Sequence, residues 1–110
     1  MARIGWTEDA ELNYAVIAIV DEASGDTLEI QRTLAPDVQD ATLGMDTYCL
    51  VRGGASYYGG VVSYEIGISH ISFSLVNEAA TALQLPTSFS VPVDLDGVVA
   101  LRERLPGLLS

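Results

Sequence analysis

At 110 residues with a formal net charge of −10, the chain reads as one acidic domain over residues 1–110, with five Arg, no Lys, one Cys and one His. Phosphate backbones and anionic bilayers draw affinity from Lys and Arg, so this composition argues against nucleic-acid and membrane partners. About half the residues are apolar, enough for a core. With Cys49 alone no intrachain disulfide can form, and together with the absence of a signal-like N-terminus this points to a reducing, cytoplasmic setting.

The charge is uneven. Residues 1–50 carry ten acids against Arg3 and Arg32, a net −8, whereas residues 51–110 net −2. Along the chain, Arg3 to Thr7 reads as a short leading strand, with Glu8 to Glu11 a solvated approach to the next one. Tyr14 to Val20 is continuously apolar, as expected of a strand buried on both sides of its sheet. Asp21 to Asp26 is turn chemistry. Thr27 to Leu34 then alternates, Leu28, Ile30 and Leu34 on one side and Glu29 and Gln31 on the other, predicting an antiparallel hairpin with one wet face.

Ala35-Pro36 stops that strand, and Asp37 to Gly44 reads as one helical turn or an ordered loop. Tyr48 to Val51 and Val61 to Tyr64 are runs of β-formers. Between them Gly53-Gly54 and Gly59-Gly60 bracket Ala55-Ser56-Tyr57-Tyr58, which reads as a kinked connection displaying aromatic rings. Cys49, inside the apolar run, is expected to be a small core hydrophobe. Val62, Tyr64, Ile66 and Ile68 share one predicted face, Ser69-His70 a turn, and Ile71, Phe73 and Leu75 the inward side of a second hairpin. Asn77 is the expected N-cap of a helix that Pro86 closes. Ser88 to Val93 alternates but contains Pro92, so it belongs at a sheet edge. Asp94 or Asp96 should cap a last helix, with Val98, Leu101 and Leu105 inward and Pro106-Gly107 as its end. The fold class is α+β: a mostly antiparallel sheet of five to seven strands, with two short helices near the C-terminus on one face.

No catalytic constellation stands out. A single His and a single Cys cannot assemble an ordinary transition-metal site, and Asp94 and Asp96 precede a helix where a calcium loop would need further ligands. The paired glycines are followed by a strand, whereas phosphate-binding loops feed a helix N-terminus. No cofactor is implied, and the pattern fits a binding protein better than an enzyme.

The run Leu43-Gly-Met-Asp-Thr-Tyr-Cys-Leu-Val51, followed by Gly53-Gly54-Ala55-Ser56-Tyr57-Tyr58-Gly59-Gly60-Val61, resembles the immunity protein 10 family of bacterial polymorphic toxin systems. Residues 28–34, the Val-Gln-Asp at 38–40, and the closing order of strand, Ala-rich helix, edge strand and Leu-rich helix resemble it too. The Ser69-His70 turn departs from the more usual pair, such as Gly-Asp, expected there. The resemblance implies an α+β protein that binds and neutralises a cognate toxin domain without catalysis or cofactor. The acidity implies that this domain is basic. On chemistry alone, Asp37, Asp40, Asp46 and Glu65 are the expected charged contacts and Tyr57 and Tyr58 the aromatic anchors. Two other arrangements are compatible with the pattern. One is a small-ligand module or minor enzyme with a pocket between sheet and helices; the other is a homodimer through the Pro92 edge or an exposed sheet face.

Overall fold

The computed structural model describes residues 1–11, 13–33 and 47–109. Its architecture is α+β, with eight strands and two helices among the described residues. The strands are β1 (Ala2–Asp9), β2 (Tyr14–Asp21), β3 (Thr27–Thr33), β4 (Cys49–Arg52), β5 (Ala55–Tyr58), β6 (Val61–Ile66), β7 (His70–Leu75) and β8 (Ser88–Pro92). The helices are α1 (Asn77–Leu83) and α2 (Leu95–Leu109). The strands divide into a five-stranded sheet in the order β1-β2-β3-β4-β5 and a three-stranded sheet in the order β6-β7-β8. All neighbouring strands pair antiparallel; β1–β2, β2–β3, β4–β5 and β6–β7 follow one another through short turns, whereas β7 reaches β8 through α1.

The expected strand and hairpin at the start are present, and the leading strand runs on through Glu8 to Asp9. In β2, however, only alternate residues are buried: Ala15, Ile17 and Ile19 face the core while Tyr14, Val16, Ala18 and Val20 are half-buried on the other side. The continuous apolar run conceals an ordinary period of two, because the outward positions are also apolar. The predicted elements Leu34 and Asp37 to Gly44 lie outside the described residues.

The glycine-bracketed stretch is organised differently from expectation. Ala55 to Tyr58 is itself a strand, β5, pairing with β4 through the tight Gly53-Gly54 turn. Gly53 has φ +59°, the positive angle a two-residue hairpin turn demands. The second glycine pair then carries the chain from one sheet to the other. Tyr48 fixes this crossing: its carbonyl accepts the Gly59 N–H at 2.8 Å and its hydroxyl accepts the Val61 N–H at 2.9 Å. The Gly60 carbonyl in turn accepts the Val76 N–H at 2.9 Å, which ties the crossing to the start of α1.

In β6 the register shifts between Val61 and Ser63, so a bulge turns Val62 outward and leaves Val61, Tyr64 and Ile66 against the core. Ile68 is exposed in the Gly67-Ile68-Ser69 turn, and His70 opens β7 beyond that turn. The predicted common face for Val62, Tyr64, Ile66 and Ile68 is therefore broken at both ends, by the bulge and by the earlier turn. Ile71, Phe73 and Leu75 are buried as expected, and β8 with Pro92 forms a sheet edge.

The N-cap of α1 is Val76, one residue before the expected Asn77, and no side chain caps it. The bond from its N–H to Gly60 and its apolar contact with the core hold Val76 in place, so the helix begins one position earlier than the cap chemistry suggests. The helix ends on Gln84 in the left-handed region, φ 56°. In α2, Asp94 Oδ1 accepts the Gly97 N–H at 2.7 Å, the expected cap. Val98, Leu101, Leu105 and Leu108 are buried at helical spacing over the five-stranded sheet. The helix continues through Pro106 to Leu109. Pro106 is exposed and removes only one donor, while burial of Leu108 and the bond from Arg32 Nη1 to the Leu108 carbonyl (2.9 Å) hold the last turn. Ala2 and Val93 form a parallel bridge, joining β1 to the end of β8, so one core lies between the sheets and under both helices.

Candidate interaction face

The register of the five-stranded sheet sorts its side chains into two sets. Trp6, Ile17, Ile30, Leu50 and Tyr57 stand in one cross-strand row on the core side, where both helices pack. On the opposite face the central rows are Thr7-Val16-Gln31-Cys49-Tyr58 and Gly5-Ala18-Glu29-Val51-Ser56. Asp9-Tyr14-Thr33 and Arg3-Val20-Thr27 flank them. Neither described helix covers this face. It has an apolar centre of Val16, Ala18, Val20 and Val51 that is only half-buried, with Glu29 and Gln31 set within it. The Gln31 amide donates to Glu29 at 3.4 Å, which orients the carboxylate along the sheet.

The face is hollowed. A shallow, open depression of about 500 Å³ lies over Thr7, Tyr14, Val16, Ala18, Glu29 and Gln31. A smaller one of about 80 Å³ shares Tyr14 and Gln31 and reaches Thr47, Cys49 and Tyr58. Tyr14 thus borders both hollows and Tyr58 the smaller one.

The expected anchors separate. Adjacent strand residues point to opposite faces, so Tyr58 stands on the outer face, 43 % exposed, while Tyr57 packs against the core. The Tyr57 hydroxyl donates to the Glu78 carboxylate at 3.3 Å. Desolvation raises the Tyr57 phenol above its ordinary value, and the charge of Glu78 and the hydrogen bond to it add to the rise. Glu65 is exposed on β6, in the other sheet, opposite Ser72. Asp37, Asp40 and Asp46 lie outside the described residues. Of the expected contacts the described structure therefore places only Tyr58 on this face. Tyr14 was missed because its strand reads as doubly buried; the signal was its parity, opposite to that of Ile17 and Ile19.

Cys49 is also on the outer face, partly exposed, a correction to its expected place in the core: inward positions here are Tyr48 and Leu50. What burial it has raises its thiol above the ordinary value. Among the described residues no group of three or more His, Cys, Asp or Glu comes together in a way that could hold a metal. No described helix is long and apolar enough to cross a membrane.

Between sheet and helices the space is largely filled by Leu101, Leu105 and Leu108, each 4 % exposed or less. An open cleft of about 330 Å³ remains near the end of α2, where the Arg104 guanidinium lies 4.8 Å from the Trp6 ring centroid. A second, about 230 Å³, separates β2 and β3 from β8 and is lined by Ile19, Leu28, Phe89 and Val91. It falls below the roughly 300–1,000 Å³ of ordinary ligand pockets.

Fold and surface together define a small α+β protein that packs its helices on one side of a sheet and presents the other side. The family profile of immunity protein 10 matches residues 1–100, nearly the whole chain. The chain belongs to the immunity protein 10 family, whose members are immunity proteins directed against toxins. No curated protein and no solved structure matches the chain.

Proposed function

We propose that the protein binds a cognate bacterial toxin domain in a stoichiometric complex and neutralises it by occupancy. The observation that carries this reading is the family match over residues 1–100. The chemistry supports it: the charge of −10 would steer a basic domain toward the inhibitor, and such steering raises association toward about 10⁸–10⁹ M⁻¹s⁻¹ at low salt. The protein acts in the cytoplasm, as one domain, on this reading.

Co-expression tests it. The C-terminal domain of the polypeptide encoded immediately upstream should arrest growth when expressed alone in a laboratory host. Growth should return when this protein is expressed with it, and the two should co-purify. A toxic upstream domain that is neither bound nor relieved by this protein would refute the proposal.

A further inference from the structure

We infer that the outer face of β1–β5 is the surface that receives the toxin domain, with Tyr14 and Tyr58 as its aromatic anchors. This rests on the proposed function and specifies the site. Three observations carry it. The face has the composition of an interface centre: half-buried Val16, Ala18 and Val51 beside two tyrosines, with polar Gln31 and Thr33 around them. It is shallowly depressed, and Tyr14 and Tyr58 border the same small hollow beside the larger one, so a protruding side chain of a partner is flanked by rings that lose little freedom on binding.

The third observation is charge. Glu29 stands at the centre of the face, held by Gln31, and Asp9 stands in one flanking row against Arg3 in the other, in a chain whose acids are concentrated in residues 1–50, the half that supplies β1 to β3. The occupant that fits is a basic protein surface that places an Arg or Lys over Glu29 and its aliphatic stem against Val16 and Ala18. A second copy of this acidic chain is a poorer fit, because the two faces would bring Glu29 toward Glu29. The outer side of β6–β7–β8 is polar and carries no tyrosine: its rows are Ser63-Ser74-Ser88, Glu65-Ser72-Ser90 and His70-Pro92.

The test measures affinity for the purified upstream-encoded domain, with a catalytically disabled form of that domain as the probe. Tyr58→Ala and Ser56→Arg both alter exposed positions at the sheet edge, so the fold should survive, as circular dichroism and thermal melting will show. Each should weaken binding by about thirty-fold or more, the scale of a hot-spot loss. Glu29→Gln should slow association and flatten its salt dependence. Ser63→Arg, on the other sheet, should leave affinity within about threefold of the parent. If Tyr58→Ala and Ser56→Arg bind like the parent, the face is wrong while the function stands. If the parent itself does not bind, the function fails and the inference falls with it. A dimer of the free protein that Ser56→Arg splits would assign the face to a second copy and overturn the inference.

Discussion

Adding a single methyl group at Gly60 should destabilise the protein by about 2–6 kcal/mol, because two penalties act at one position. The backbone there has φ +99°, and an alanine Cβ would stand 2.7 Å from the Ala79 Cβ and 3.0 Å from Tyr57 Cδ1. Holding a non-glycine residue in such a conformation costs on the order of 1–3 kcal/mol. Ala79 is fully buried at the start of α1 and has no flexible end to move, so overpacking adds about 1–3 kcal/mol more. Relief would require α1 to shift from β5 or the crossing to open, and the Gly60–Val76 hydrogen bond opposes both. Domains of this size are stable by about 5–15 kcal/mol, so the variant should still fold in the cold. Urea unfolding followed by circular dichroism reads the effect: with an m-value near the middle of the usual range of about 1–3 kcal/mol/M, the midpoint should fall by about 1 M or more. Gly54→Ala is the control, since nothing lies within 4 Å of its Cβ and its φ is not positive. That variant should stay within about 0.5 kcal/mol of the parent. If Gly60→Ala unfolds at the same urea concentration as Gly54→Ala, the account of the crossing is wrong.

Other consequences follow from single contacts. Tyr48→Phe leaves the Val61 N–H without its acceptor beside a side chain only 7 % exposed, and should cost about 1–3 kcal/mol, with faster hydrogen exchange at Val61. Arg52 donates to the Leu83 and Gln84 carbonyls at 2.9 and 3.3 Å and pairs with Asp26 at 2.9 Å. Arg52→Met should therefore loosen the end of α1, and Arg52→Lys should restore little, because a point charge cannot span a carbonyl pair and a carboxylate together. Amide exchange at Gln84 and Leu85 reports this directly. The Asp21 carboxylate accepts the Ala23 N–H at 3.0 Å, and this bond first, then those involving Ser24, lowers its pKa. A lowered folded value means the contribution is complete above the unfolded pKa near 3.9 and is lost as pH falls through the folded value. NMR titration should find Asp21 titrating below ordinary aspartates, and Asp21→Asn should flatten the acid limb of the stability profile.

The fold class and most strand positions were legible because β3, β7 and β8 alternate cleanly and turn residues separate them. Three features were not. In β2 the outward residues are as apolar as the inward ones, so periodicity could not assign a face; only the pairing with β3, where Ile30 is buried opposite Ile17, does so. In β5 four residues between two glycine pairs are too short for a pattern, and paired glycines signal a turn without saying which pair reverses the chain and which changes sheets. The Val62 bulge is invisible in sequence, since Val61 and Val62 are equal candidates for the core until pairing with β7 selects one. These gaps bear on the site as well. Reading β2 as doubly buried hid Tyr14, and reading β5 as a loop made Tyr57 and Tyr58 look equivalent, whereas the strand turns one to Glu78 and the other outward.

The central claim, neutralisation by a stoichiometric complex, is tested most directly by titrating this protein into a fixed amount of the active upstream-encoded toxin domain and measuring residual toxin activity. The account predicts a linear fall that reaches zero at one equivalent, at once and without further loss on standing. Progressive inactivation by a small fraction of an equivalent would mean turnover, and residual activity unchanged at an excess would mean no inhibition; either result contradicts the account.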